Sequence, residues 1–362
     1  MKHVSTTQRL SSWLSKLEKL SYHEELPSLD RVSQVAHTLG LSAFSCPVIT
    51  IGGTNGKGSC VATLEAIYLA AGYQVGAYTS PHLLRYNERI KIDGQEVDDN
   101  SIVDAFQVIE KARGKTKLNF FEYTTLAALY IFKQTELDIL LLEVGIGGRF
   151  DAVNIINADV AIVASIDIDH TDRLGHTREQ IGFEKAGIFR QQKYAICGDF
   201  TPPQSLIDYA NKIDTTLLCQ GKDFYFNVNN LLSVWEWRGP QVQLHALPIP
   251  HLAMQNISTS LMAYCCLAEK LPVSHQALQQ AIASVRVNGR FQEVATQPKV
   301  IVDVAHNPAA AFMLSQRLKQ ELKPDCKINA VFSAVHDKDI SSMVAHLAEQ
   351  VATWYVAPLK TP

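Results

Sequence analysis

The sequence predicts an α/β protein: a P-loop-containing, doubly wound, mainly parallel sheet, followed by a second, smaller Rossmann-like α/β domain. Three observations carry this. Short apolar runs rich in β-branched residues (Pro47–Ile51, Tyr73–Thr79, Asp138–Val144, Asp159–Ser165) alternate with stretches of helical period. The first of them runs directly into a glycine-rich turn and a helix, GGTNGKGSCVAT from Gly52 to Thr63. A fresh strand–helix pattern then opens at Lys299, after a stretch from Arg286 to Gln297 that reads as a linker. Residues 1–290 are therefore expected to form a nucleotide-binding domain with N-terminal helices, and 291–362 a C-terminal α/β domain.

Taken in order, two amphipathic helices come first, Thr7 to Leu20 and Leu29 to Leu39. In the glycine turn, Gly52, Gly53, Gly56 and Gly58 let the backbone aim its N–H groups inward, and the following helix adds its positive dipole end. Lys57 supplies a mobile charge for phosphates, and Ser59 is available as a helix cap. Strict G-x-x-x-x-G-K-[ST] spacing fails, because Gly52 and Gly56 are too close and Gly58 separates Lys57 from Ser59. Strand, loop, lysine, hydroxyl and helix in register still outweigh a plain glycine turn with a solvated lysine. Arg89 to Val97 alternates around Asp93-Gly94 and reads as a hairpin. Helices near Ser101–Ala112 and Phe121–Gln134 precede the strand Asp138–Val144. The region Tyr194–Pro250 holds short strands read as sheet-edge excursions. Helices Asn256–Lys270 and Ser274–Ser284 follow, then strands at Lys299–Val304, Lys327–Phe332 and Thr353–Val356.

Composition narrows the function classes. With 362 residues, 47% of them hydrophobic, the chain has ample material for two or three cores. A net charge of −3 from 33 basic and 36 acidic residues, well mixed, gives no nucleic-acid surface. The cluster Lys111–Lys117 reads as a solvated loop. No apolar run is long enough to cross a bilayer, and no signal peptide is visible. Seven cysteines without a C-x-x-C pair fit a reducing cytoplasm and no structural zinc. No heptad is evident, so a monomer is expected.

In open α/β sheets ligands bind beyond the C-terminal strand ends, where Ser80, Glu143, His170 and Asp303 fall. Glu143 stands where a P-loop protein keeps its Mg²⁺-binding acid, with a turn-capping carboxylate as the alternative. Ser80 and Glu143 suffice for one ion, since Mg²⁺ keeps phosphate oxygens and waters as its other ligands. His170 alone reads as a structural histidine, though Asp167, Asp169 and Asp172 around it raise the case for a ligand. Lys185, late in a helical stretch, reads from its spacing as a solvated end-of-helix cation.

With these residues assembled, the chain resembles the Mur-ligase-type amide synthetases of the folate branch, the folylpolyglutamate synthases that are commonly bifunctional with dihydrofolate synthase. GGTNGKGS, YTSPHL, FEYTTL, LLEVGIGGRFDAVN, DIDHTDRLG, FEKAGIFR, NGRFQ, DVAHNP and HDKD carry the likeness, in order from Gly52 to Asp339. The resemblance implies that ATP phosphorylates a folate or dihydropteroate carboxylate and that the amine of L-glutamate displaces the phosphate. It places Gly53, Thr54, Asn55, Gly56, Lys57, Gly58 and Ser59 with Asn256, Arg290 and Asp303 on the nucleotide. Ser80 and Glu143 fall on one Mg²⁺ and His170 on a second. Lys57, Lys185, His170 and Arg290 become the catalytic set. Lys185 becomes a carbamate, which requires a partly buried amine of lowered pKa. Leu29 with the loop before it, Phe121, Glu122, Phe150, Asp151 and Ala152 become the pterin-side contacts. The chain departs from the pattern at Leu26-Pro27-Ser28-Leu29, at Val153 and at Ser333-Ala334-Val335. From Lys299 onward it supplies only about half of a usual domain length, so a truncated C-terminal domain is expected. Two other assignments compete: a related ligase for another acid and amino acid, and a nucleotide-binding protein that has lost catalysis.

Overall fold

The computed structural model describes residues 6–20, 28–229, 232–323, 326–335 and 338–359; Leu26, Pro27, His336 and Asp337, singled out above, lie outside the described residues. The chain divides into two units, Met1–Arg286 and Val287–Pro362. The first runs α1 (Thr6–Glu18), α2 (Asp30–Thr38), β1 (Val48–Gly52), α3 (Lys57–Ala70), β2 (Val75–Tyr78), β3 (Ile90–Ile92), β4 (Gln95–Glu96), α4 (Asp99–Arg113), α5 (Phe120–Lys133) and β5 (Ile139–Glu143). It continues through β6 (Val160–Val163), α6 (Thr171–Leu174), α7 (Arg178–Ala186), β7 (Tyr194–Cys197), α8 (Gln204–Lys212), β8 (Thr216–Cys219), β9 (Tyr225–Asn229), β10 (Val234–Arg238), β11 (Gln243–Pro248), α9 (Met254–Leu267) and α10 (His275–Ser284).

An eight-stranded sheet in the order β4-β3-β2-β5-β1-β6-β7-β8 is the frame. Six of its strands are parallel, and β3 with β4 form the antiparallel edge hairpin. Asp93 and Gly94 both take positive φ at its turn, 50° and 74°, as a two-residue hairpin loop requires. The central strands β1, β5 and β6 are buried at every position, which is why they read as unbroken apolar runs. Helices α4 and α5 cover β2, β5 and β1 on one face, and α7 with α8 cover β6 to β8 on that same face. Helices α3, α9 and α10 pack together on the other face. Asp98, Asn119 and Thr177 cap α4, α5 and α7 through their side chains.

Three expectations are corrected here. The region after Tyr194 is no edge excursion: β7 and β8 extend the main sheet in parallel, because Ala195, Ile196 and Cys197 form another fully buried run. Only β9 to β11 leave it, as a separate antiparallel sheet in which Trp235 and Trp237 alternate inward and are completely buried. The stretch taken as a linker contains β12 (Gln292–Thr296), paired antiparallel with β13 (Lys299–Val302). Its polar residues are mostly exposed, so no burial pattern announced it. Ser59 is not a cap either, since α3 begins two residues earlier with Gly56 at the cap position.

The second unit then adds α11 (Pro308–Glu321), β14 (Ile328–Phe332), α12 (Ile340–Leu347) and β15 (Val351–Val356). Among the described residues its strands form two sheets of two, β12-β13 and a parallel β14-β15. A small core of Ala311, Leu318, Met343 and Leu347 lies under the helices.

Candidate active site

The sheet has its topological switch point between β1 and β6. The connection from β1 leads to β2 on one side, and that from β6 to β7 on the other, so their C-terminal ends open the crevice in which ligands of such folds bind. The glycine turn lies there, and it is pinned. The hydroxyl of Ser165 donates to the carbonyl of Asn55 (3.0 Å) and accepts its N–H (2.9 Å). Thr54 N–H donates to the Ser165 carbonyl (2.8 Å), while the Thr54 hydroxyl donates to the Asp167 carbonyl (3.1 Å) and accepts the Asp167 N–H (3.0 Å). Gly53 takes φ 142° and lies so close to the β6 end that a Cβ would sit 3.0 Å from the Ala164 nitrogen. Lys57 Nζ curls over the turn, donating to the carbonyls of Gly53 (2.9 Å) and Thr54 (3.3 Å). Sequence reasoning missed Ser165; its only signal was a hydroxyl at the end of an apolar strand, counted as part of that strand.

Gly56 has φ 86°, and a Cβ there would run into the carboxamide of Asn256, at the start of α9. The expected nucleotide contact Asn256 thus stands against the turn. Gly56→Ala combines left-handed strain with this collision. It should weaken nucleotide binding by about tenfold or more with a small loss of stability, measured by titration with a fluorescent ATP analogue.

The next polar group is Glu143, at the end of β5 and 4% exposed. Its Oε2 accepts the backbone N–H of Ser80 (3.3 Å) and lies 3.7 Å from where a Cβ on Gly58 would be. The structure therefore brings Ser80, Glu143 and the first turn of α3 together. His170 is half-buried in left-handed conformation (φ 50°) ahead of α6, its N–H bonded to Asp169 Oδ1 (2.9 Å). Among the described residues no three His, Cys, Asp or Glu side chains converge on a metal position.

Lys185 overturns the reading drawn from its spacing. It is 3% exposed, and its amine is brought down to about 7 by burial, then by the charge of Lys57, against the opposite pull of Asp169 and Asp151. α7 is driven inward because Ile181, Gly182 and Ala186 are buried around the same face. Asp151 is likewise buried. Burial raises it to about 6, although its carboxylate accepts the N–H groups of Gly145 (3.0 Å), Ile146 (3.1 Å) and Val153 (3.0 Å). Lys185 thus lies within reach of the Asp151 charge, and burial moves both groups toward neutrality, as is common at functional sites.

The other candidates are more dispersed. The Phe121 ring fills the space beside Gly145, where a Cβ would meet it at 2.6 Å. Phe150 is 42% exposed beneath the Arg149 guanidinium, 4.5 Å from its centroid. Ala152 is buried in the core, and Leu29 packs against that core ahead of α2. The Glu122 carboxylate is engaged locally, capping α5 at Asn119 N–H (2.8 Å) and pairing with Arg31 (3.2 Å).

Residues 51–223 match the family model described as Mur ligase middle domain, and 289–362 match Mur ligase, glutamate ligase domain. The dihydrofolate synthase/folylpolyglutamate synthase of Escherichia coli (strain K12) is 46% identical over 353 residues, spanning 98% of this chain and 82% of that protein. The chain belongs to the dihydrofolate synthase/folylpolyglutamate synthase family. Two solved structures agree with this family fold. E. coli FolC in complex with DHPP and ADP superposes with a TM-score of 0.94 at 45% identity, covering 99% of this chain and 85% of that one. A bifunctional folylpolyglutamate synthase/dihydrofolate synthase with Mn, AMPPNP and L-glutamate bound superposes with a TM-score of 0.91, also at 45% identity, covering 99% and 86%.

In this folylpolyglutamate synthase family member the first unit fits a nucleotide and a divalent cation on its own chemistry. The glycine turn has no room for side chains at Gly53 and Gly56, the α3 N-terminus points into the crevice, and a buried hard carboxylate stands beside it. In the second unit Asp303 already accepts the N–H groups of Phe291 (2.7 Å) and Ala305 (2.8 Å), and the N–H of Arg290 is bonded to the Val287 carbonyl (3.2 Å).

Proposed function

We propose that the chain is an ATP-dependent, ADP-forming ligase that joins the amine of L-glutamate to the carboxylate of a folate or dihydropteroate. The observation that carries this is the convergence of Lys57, buried Lys185 and buried Asp151 on one crevice beside a phosphate-shaped turn.

Two problems face the reaction: a carboxylate is a poor electrophile, and three anions must meet. Transfer of the γ-phosphoryl group of ATP to the carboxylate gives an acyl phosphate and ADP, and attack by the glutamate amine forms the amide and releases phosphate. The backbone amides of Gly53 to Ser59 and the Lys57 ammonium neutralise phosphate charge, where phosphoryl transfer depends mainly on positioning and electrostatics. A divalent cation held by Ser80 and Glu143, with a second at His170, would act as Lewis acid on the transferred group. Lys185, neutral in a large fraction of molecules near pH 7, can take up CO₂ and become a carbamate, replacing a cation with an anion beside the metals. Asn256, Arg290 and Asp303 are assigned to the nucleotide, and Leu29, Phe121, Glu122, Phe150, Asp151 and Ala152 to the acid. No described helix is long and apolar enough to cross a membrane; that the chain works on small molecules as a cytoplasmic monomer is part of this proposal.

The test is ADP release measured with a panel of acid and amino-acid pairs. Turnover with folate or dihydropteroate and L-glutamate is expected; turnover only with another pair would assign a different ligase, and none at all a binding protein. Glu143→Gln should raise the divalent ion concentration needed for half-maximal rate by about tenfold at constant ATP. An unchanged titration curve would take Glu143 away from the metal.

A further inference from the structure

Two stretches of the site, the loop 145–156 carrying Asp151 and the end of α7 carrying Lys185, are joined by a residue to which no role has been given. Arg190 is a largely buried arginine with no carboxylate partner among the described residues. Burial lowers its pKa. Its guanidinium is satisfied by main-chain and amide oxygens. On one side it donates to the carbonyls of Gly187 (3.4 Å) and Ile188 (3.1 Å), just past the C-terminus of α7. On the other it donates to both oxygens of Asn154 (2.8 Å each) and to the carbonyl of Ile156 (3.3 Å). Asn154 completes the bridge, its amide donating to the carbonyls of Arg149 and Gly187 (3.0 Å each). The backbones are in direct contact alongside: a Cβ on Gly148 would lie 2.8 Å from the Glu184 carbonyl and 3.0 Å from that of Lys185. A delocalised planar fork is the one side chain that can serve so many oxygens while also complementing a helix C-terminus.

We infer that Arg190 is a positioning residue: through Asn154 and the end of α7 it fixes the Asp151 carboxylate relative to the Lys185 amine, and so sets the rate of ligation. This rests on the ligase reading above. Arg190 itself touches no reacting group.

The test uses the full chain with Arg190→Met, Arg190→Lys, Asp151→Asn and the double variant Arg190→Met/Asp151→Asn. Arg190→Met should lower kcat by at least about 30-fold with nucleotide affinity within about threefold, and Arg190→Lys, which keeps the charge but loses the fork, should recover only part of the rate. The double variant should be no slower than the slower single one, because both changes disrupt one unit. Hydrogen exchange gives a readout independent of turnover: amides of 145–156 should exchange at least about tenfold faster in Arg190→Met, and those of 52–59 at the wild-type rate. Unchanged exchange in 145–156, rate losses that multiply in the double variant, or nucleotide affinity falling in parallel with kcat would each overturn the inference. A wild type that releases no ADP would sink the ligase reading instead, and exchange would still decide whether Arg190 holds the loop. Should Arg190→Met not fold, Arg190→Lys decides it: a reduced kcat with faster exchange in 145–156 alone supports the inference, and wild-type values of both overturn it.

Discussion

Lys57→Ala should reduce ATP-dependent turnover by about 10³-fold or more, equivalent to roughly 4 kcal/mol of lost transition-state stabilisation. The fold should survive. Lys57 Nζ bonds the carbonyls of Gly53 and Thr54, but the turn is held independently by Ser165 and Asp167. Thermal melting close to wild type with activity lost is therefore the expected pair of results. A near-normal kcat would reduce Lys57 to a cation folded over its own loop.

Lys185 should show a larger and more distinctive response. Lys185→Ala is expected to be inactive, with partial rescue by added short carboxylates that stand in for a carbamate. Lys185→Arg should be inactive too, since a guanidinium stays cationic and cannot take up CO₂. An active arginine variant would refute the carbamate. Stability should move the opposite way. The ordinary lysine value of 10.5 falls to about 7 here, so the unfolded chain binds this proton more tightly than the folded one. Stability then rises with pH between about 7 and 10.5, and the buried amine is most costly below pH 7. Lys185→Met removes that cost, with a ceiling of about 5 kcal/mol. In buffers stripped of CO₂ it should melt higher than wild type near pH 6, with the difference shrinking as pH approaches 10. A constant difference across that range would mean that Lys185 does not titrate near neutrality in the folded chain.

These residues differ in how far the sequence exposed them. The glycine turn was legible because its demand is local: strand, glycines, lysine and helix are contiguous, and positive φ at Gly53 and Gly56 is a property those residues advertise. Glu143 was legible because a carboxylate ending an apolar run has to sit at a strand end. Lys185 was not, because burial of a helix-end lysine depends on what packs over it, here the backbone of Gly148 and Arg149 brought from far along the chain; only resemblance to a family placed it. Ser165 and Arg190 act through main-chain oxygens of distant segments, which leave no pattern in sequence. In the fold, most strands were found, but the place of β7 and β8 in the main sheet was not, and β12 was missed altogether. Gln292–Thr296 buries too little for its pairing with Lys299–Val302 to show as alternation.

The double bond pattern between Ser165 and Asn55 has a kinetic and entropic consequence. A glycine-rich segment released from such anchors would sample many conformers, and ordering each residue costs about 1–2 kcal/mol. Here both peptide groups of Asn55 and the N–H of Thr54 are tied to the β6 end, so that ordering belongs to folding and not to ligand capture. The nucleotide meets a mould rather than a coil. Its association should then be limited by encounter and charge steering, falling with ionic strength, and its contacts with the loop should appear almost undiscounted in the binding free energy.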